Sequence, residues 1–295
     1  MAKKVGRVFL VLLSVVVVLS LVLAGFGFVI SRRSFPQIDG EIRVAGLDAP
    51  VDVYRDSWGV PHLYAQTTHD LFFAQGYVHA QDRFWQMDFS RHIGSGRLAE
   101  MFGESQVESD KYLRTFGWAR VAQQEMQVLD AESLTILAAY ADGVNAYLAD
   151  HQGSALSLEY AVLKLTNANY QPEPWQPLHT LTWAKVMSWQ LGGNMDNEYA
   201  HATLLKVLTP EQMADLFPPY PADHPVIVSS FGGSTGRQTP PSLTPTLATA
   251  LAPGLEAMRQ QEATLEAILG PRGSGIGSNN WVISGDLTST GTPIL

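Results

Sequence analysis

The sequence contains no cysteine. Disulfides and thiolate metal sites are therefore excluded, while the compartment stays open, because many exported domains also lack disulfides. None of the eight histidines falls in an H-E-x-x-H arrangement, so a zincin-type centre would lack its helix-borne ligand pair. Charge is scarce: 16% of residues are charged and 46% hydrophobic, the balance of a globular body with a sizeable core plus a membrane segment. A basic excess is also missing. Of the net charge of −9, the first 33 residues supply five basic groups (Lys3, Lys4, Arg7, Arg32, Arg33) and no acid, leaving 14 basic against 28 acidic residues, a net of −14, in the rest. Such a body offers no basic footprint for nucleic acid, which is excluded as a partner.

The longest gap in charge runs for 23 residues, from Val8 to Ile30, enough to cross a hydrocarbon core of about 30 Å. A secretory signal peptide, leaving through Val22-Leu23-Ala24, is the competing reading. The run exceeds the usual apolar length of such signals, roughly 7–15 residues, and cleavage after Ala24 would expose an apolar N-terminus. An uncleaved anchor over residues 1–33 is favoured. Lys3, Lys4, Arg7 and the amino terminus outnumber Arg32 and Arg33, which predicts the N-terminus inside and the body exported.

What the sequence does have is concentrated near residue 278, in Gly273-Ser-Gly-Ile-Gly-Ser278-Asn-Asn-Trp-Val-Ile-Ser-Gly285. A glycine-rich loop runs into a short alternating stretch, with Asn280, Val282 and Ser284 on one face and Trp281 and Ile283 on the other, as a half-buried strand requires. Gly277 has no Cβ, so its carbonyl can be approached closely. Attack by the Ser278 hydroxyl on that carbonyl, an N-to-O acyl shift and hydrolysis would cut the chain. Ser278 would then carry nucleophile and base on one residue, since a free α-amine can activate its own hydroxyl. That amine titrates near ~7.7–8.0, close to where general-base catalysis works best. A plain Gly/Ser loop feeding a hairpin is the alternative for this stretch taken alone.

Ser278-Asn-Asn-Trp-Val-Ile-Ser-Gly285, followed by Thr288-Ser-Thr-Gly-Thr-Pro-Ile-Leu295, resembles the start of the catalytic chain in the penicillin acylase (penicillin amidase) family of N-terminal-nucleophile hydrolases. Further matches occur in family order: Val53-Tyr-Arg-Asp-Ser-Trp-Gly-Val-Pro-His62, Gly76-Tyr-Val-His-Ala-Gln-Asp-Arg-Phe-Trp-Gln-Met87, Gly96-Arg-Leu-Ala-Glu-Met101, Tyr140-Ala-Asp-Gly-Val-Asn-Ala-Tyr147, Leu158-Glu-Tyr160 and Pro172-Glu-Pro-Trp175. The resemblance implies a precursor cut between Gly277 and Ser278, with Ser278 as nucleophile and its freed amine as base. The substrates it implies are N-acyl amides such as those bearing penicillin-type side chains. The implied fold of the complete enzyme is α+β, a four-layer αββα sandwich, with this portion mostly α-helical and strands near both ends. Residues 34–228 would form the light-chain region, 229–277 a linker or spacer peptide, and 278–295 the start of a heavy chain several hundred residues long. The oxyanion-hole donors would lie in that heavy chain, so this fragment by itself is not expected to turn over substrate. Glu198, with Leu204 and Leu205 following, matches the spacing of a family glutamate that binds structural calcium, whose other ligands would come from the heavy chain. No organic cofactor is implied, and no substrate-binding residue is assigned, although Trp189 to Asn194 lies where the family lines its acyl pocket. An acyl-homoserine lactone acylase using the same nucleophile is the alternative enzyme. A non-catalytic anchored surface protein of the same fold is the alternative from another class, and the intact Gly277-Ser278 pair speaks against it.

Other polar residues are read as structural. Ile42/Val44 and Val51/Val53 predict a hairpin around Gly46–Pro50, and Arg55 with Asp56 an ion pair. Thr68-His-Asp70 predicts a helix start. His79, Asp82 and Arg83 share a helical face and are expected to form a buried hydrogen-bonded cluster. Asp130 opens an amphipathic helix with Leu134, Leu137, Tyr140, Val144 and Tyr147 on its apolar side. His179 departs from the family, which usually has an acid there at a helix start, so Thr180 or a local rearrangement is expected to supply the cap. A polar helix is expected over Leu255 to Leu269. Gly232-Gly-Ser-Thr-Gly236 matches the G-x-S-x-G nucleophile elbow in letters only, without the strand and helix that motif needs.

Overall fold

The computed structural model of the chain describes residues 2–192, 194–218, 245–269 and 282–293. The chain divides into two compact units, Met1–Val186 and Met187–Leu295.

The first unit begins with helix α1, Ala2–Arg33. Among the described residues it is the one helix long and apolar enough to cross a membrane. Strands β1 (Asp52–Arg55) and β2 (Pro61–Tyr64) follow as an antiparallel pair in which Asp52 faces Tyr64 and Arg55 faces Pro61. This hairpin differs from the expected one. It closes over Asp56–Val60, where the Asp56 carboxylate accepts the Trp58 and Val60 N–H groups at 2.8 and 2.9 Å and Gly59 takes a φ of 78°. That turn satisfies its own donors. Residues 46–50 are instead drawn to a helix start, where the buried Asp70 carboxylate accepts the Asp48 and Ala49 N–H groups.

Helix α2 (Thr68–Ser95) and helix α6 (Ala131–Asp150) form the centre of the unit. The α2 cap is Thr67, one residue before the expected position, and its hydroxyl accepts from the Asp70 N–H at 3.0 Å. Asp130 caps α6 as expected, accepting from the Ser133 N–H at 2.7 Å. The two helices cross at reciprocal glycines. A Cβ on Gly76 would overlap the Tyr140 carbonyl, and one on Gly143 would overlap the Phe73 carbonyl. Around this crossing Ala80, Phe84, Met101, Val144, Tyr147, Tyr160 and Trp175 form one buried cluster, each large apolar side chain contributing on the order of 2 kcal/mol. Short helices α3 (Leu98–Phe102), α4 (Val107–Phe116), α5 (Trp118–Glu125) and α7 (Leu158–Leu163) complete the unit, together with α8 (Pro177–Leu191) as far as Val186.

The second unit holds α9 (Asn194–Leu204), α10 (Pro210–Leu216) and α11 (Pro245–Leu269). A reciprocal Thr209–Gln212 capping box starts α10, and α9 meets α11 through the Tyr199 hydroxyl, which donates to Glu256 at 2.7 Å. α11 begins ten residues earlier than the expected Leu255 and runs through Pro253. Of the strand expected after Ser278, Ile283 makes a single bridge, and Gly285–Leu287 then forms a 3-10 turn. The described chain is thus α+β and mostly helical.

Candidate functional site

Gly277 and Ser278, and the Gly232–Gly236 motif, lie outside the described residues. Glu198 is described: it stands on α9 with an exposed side chain. A carboxylate is the right donor for calcium, but a calcium ion takes six to eight oxygens, so Glu198 can be one ligand and not a site.

The most heavily bonded polar group in the first unit is a cluster on the second half of α2 that sequence reasoning missed. Asp88, Arg91 and His92 fall at i, i+3 and i+4, on one helical face, and all three are buried. Asp88 Oδ1 takes Arg91 Nε at 2.8 Å and lies 2.7 Å from Nη2, while Oδ2 accepts the hydroxyls of Tyr160 and Tyr170 at 2.6 and 2.7 Å. His92 Nδ1 donates to the Asp88 carbonyl at 2.7 Å. Burial pushes the Asp88 carboxyl up. The bond to His92, the charges of Arg91 and His92 and the Tyr160 hydroxyl outweigh it and bring it down to about 2. Burial and the adjoining carboxylate hold both tyrosines well above the usual phenol range. Both carboxylate oxygens of Asp88 are occupied and both tyrosine hydroxyls are committed to it, so the carboxylate has no free lone pair for a substrate. The cluster is a scaffold. The spacing was visible in the sequence, but the partners from residues 160–179 were not.

His179 joins this cluster and corrects the expectation about its cap. It stands at the third position of α8, and its Nδ1 accepts the Gln176 N–H at 3.0 Å, the task a carboxylate would perform there. Burial, and then the charge of Arg91, lower its pKa to about 4, so the neutral ring keeps an acceptor lone pair at neutral pH. Thr180 instead accepts from Trp175 Nε1 at 3.0 Å. Trp175 is also bound through its backbone to Asn145 in both directions, at 2.7 and 2.9 Å. Nearby, Arg97 bridges Glu100 and Glu173, which raise its pKa.

The first half of α2 is arranged differently. His79, Asp82 and Arg83 do not form one cluster. Arg83 has non-helical backbone angles (φ −144°, ψ 20°) that kink the helix. Asp82 binds Arg55 at 2.8 and 2.9 Å, and His79 Nδ1 lies 3.0 Å from the Tyr140 hydroxyl. Arg55 therefore pairs with Asp82 rather than with Asp56, whose carboxylate serves the hairpin turn; adjacent strand residues point to opposite faces. His79 and Arg83 border an open groove of about 480 Å³ with Leu137, Tyr140, Trp175 and Trp183 among its walls. Asp48, His69 and Asp70 also come within metal-ligating reach of one another, but Asp70 already accepts backbone N–H groups on both oxygens.

Residues 50–295 match the penicillin amidase family. The chain is 34% identical over 267 residues to penicillin acylase 2 proenzyme of Pseudomonas sp. (strain SE83), a match covering 90% of this chain and 32% of that protein. It is 32% identical over 191 residues to the acyl-homoserine lactone acylase QuiP of Pseudomonas aeruginosa, covering 65% of this chain and 22% of that one. It also resembles the solved structure of thermostable penicillin G acylase from Alcaligenes faecalis, with a TM-score of 0.49 and 28% identity over 61% of this chain and 97% of that one. The chain spans about a third or less of the length of these two curated relatives.

Proposed function

The chain belongs to the penicillin amidase family, and from that premise we propose that it is part of a self-processing acylase that hydrolyses the amide bond of N-acyl amides, including those with penicillin-type side chains. Residues 34–228 serve as the light-chain region, 229–277 as the spacer, and the heavy chain begins at Ser278. The complete enzyme has the four-layer αββα fold. The observation that carries this reading is the family match, which continues through Gly277-Ser278 to residue 295.

Two reactions use one oxygen. In processing, Ser278 Oγ attacks the Gly277 carbonyl, the peptide bond becomes an ester, and water releases residue 277 as a carboxylate. The liberated α-amine is then the base. In turnover it takes the hydroxyl proton as Oγ attacks the substrate carbonyl, and returns it to the departing amine. Water, deprotonated by the same amine, hydrolyses the acyl-enzyme. The clusters on α2 support this chemistry by holding the light-chain scaffold in shape, and take no part in bond making.

Expression of the complete polypeptide tests the proposal. A chain with the N-terminal sequence Ser-Asn-Asn-Trp should appear, Ser278→Ala should leave the precursor uncut, and Ser278→Cys should retain processing while hydrolysing amides poorly. Normal processing and activity in Ser278→Ala would return Ser278 to the role of a loop residue. The similarity to QuiP favours a second substrate reading, long-chain acyl-homoserine lactones, which parallel assays against a penicillin would separate. The non-catalytic reading predicts no activity on either.

Two accessory features belong to the same proposal. α1 is an uncleaved anchor with the body exported, and protease added to intact cells should digest the region after Arg33. Glu198 is a structural calcium ligand. Its replacement by Ala should then lower the Tm in calcium and much less in chelator, while equal shifts in both would remove calcium from the account.

A further inference from the structure

Beside α1 lies a group of exposed apolar side chains that take no part in the proposed chemistry. α1 packs against a 3-10 turn at Gly153–Ala155, and that turn packs against α7. Where the burial of α1 is described, residues 12–29 are exposed and Ser31, at the end of the apolar run, is half-buried. α7 presents two faces. Tyr160 and Leu163 point into the core, with 2% and 5% exposure, while Leu158, Val162 and Leu165 are 43%, 59% and 84% exposed. These three fall at i, i+4 and i+7, one stripe of a helical surface, and the turn is continued past α7 by the bond from the Leu165 N–H to the Val162 carbonyl. Phe35, just past the end of α1, is 60% exposed. Cations edge the group: Arg32 and Arg33 close α1, and Lys164 places Nζ where a Cβ on Gly153 would lie only 3.1 Å away. Glu159 is the acid on this short helix.

We propose that Leu158, Val162 and Leu165 form a lipid-facing patch that lies in the headgroup region of the bilayer beside the exit of α1. An apolar stripe edged by basic residues is the pattern of a helix lying in a membrane interface, and long basic side chains can bury their stems while their heads reach phosphate. A site next to a spanning helix is held at the membrane surface without cost in finding it. The patch makes the anchor more than a tether: it fixes which face of the light-chain region looks toward the lipid. The proposal rests on α1 spanning the membrane.

These 295 residues contain no cysteine; any in the rest of the full-length protein is first replaced by serine, so that each label reports one position. Single variants Val162→Cys, Glu132→Cys and Val17→Cys of the full-length protein are labelled with an environment-sensitive dye and reconstituted in vesicles of phosphatidylcholine and phosphatidylglycerol. Glu132 is the distant control, about 27 Å from Asp150 along α6 at ~1.5 Å per residue. The dye at 162 should shift to the blue and lose about half its emission or more to lipids carrying a shallow spin label, and the dye at 132 should do neither. Quenching at 162 by aqueous iodide without quenching by lipid overturns the patch. Shielding from both overturns it too, because protein then covers the stripe. Val17 reports on the anchor alone: its dye should respond to a deep spin label. If it does not, the anchor reading fails and the patch with it, whereas a quenched Val17 beside an unquenched Val162 defeats the patch and leaves the anchor standing.

Discussion

The two halves of α2, on either side of Arg83, use the same kinds of residue to opposite ends. Before the kink, His79 is exposed and Asp82 reaches off the helix to Arg55 on the hairpin. Beyond it, Asp88, Arg91 and His92 turn inward and are 0%, 1% and 2% exposed. His79, Asp82 and Arg83 keep water as a partner, so each needs only one good contact. The second half has no water to fall back on, and its charges are tolerated because each meets a complementary group. A row of charged residues on a helix therefore does not mark a catalytic site. What matters is whether the carboxylate retains an unused lone pair, and Asp88 retains none.

The difference can be broken most severely at Asp88. Asp88→Ala strands Arg91 and two tyrosine hydroxyls in the interior, and urea denaturation should register a loss of about 3–5 kcal/mol. A cost below about 1 kcal/mol would mean that the network is wetter than its burial implies. Next comes His179. Its folded pKa of about 4 lies below the ordinary ~6.5, so the unfolded chain takes up the proton first. The stability tied to the neutral ring is complete above about pH 6.5 and is lost as pH falls toward 4, to a total of about 3 kcal/mol. His179→Asp should abolish that component, because a carboxylate facing Arg91 keeps accepting the Gln176 N–H throughout this window; an unchanged slope between pH 6.5 and 4 would remove His179 from the account. On the exposed half the effects shrink. Asp82→Asn weakens a two-bond pair with Arg55 that is partly open to solvent and should cost about 1 kcal/mol. Arg83→Gln should stay within about 0.5 kcal/mol, and a larger loss would erase the contrast between the halves.

Local features were legible in the sequence because their causes are local. Asp130 caps α6 because its oxygen reaches a donor three residues on, and the apolar run of α1 needs no partner to be recognised. The hairpin was shifted because two turn signals compete within fourteen residues. Asp56 and Gly59 close one unaided, whereas residues 46–50 depend on Asp70, more than twenty positions away, to accept their N–H groups. Arg55 was paired with its neighbour in sequence, although strand alternation separates the two and Asp82 sits 27 residues further on. The buried cluster was hidden for the same reason. Asp88, Arg91 and His92 have a visible spacing, but what makes them a scaffold arrives from residues 160, 170 and 179. Ser278 stood out through a different signal, a glycine-serine pair whose proposed chemistry needs only adjacent atoms.

The reciprocal glycines carry a consequence for timing. Gly76 and Gly143 are 67 residues apart, and loop closure grows costlier only slowly with length. The helices can therefore cross once residue 150 has left the ribosome. Residue 278 follows more than a hundred positions later, at least about 6 s behind at ~20 residues per second. Collapse of a chain this size takes on the order of 10–100 μs. The crossing thus has ample time to consolidate while the codon for residue 278 is still unread.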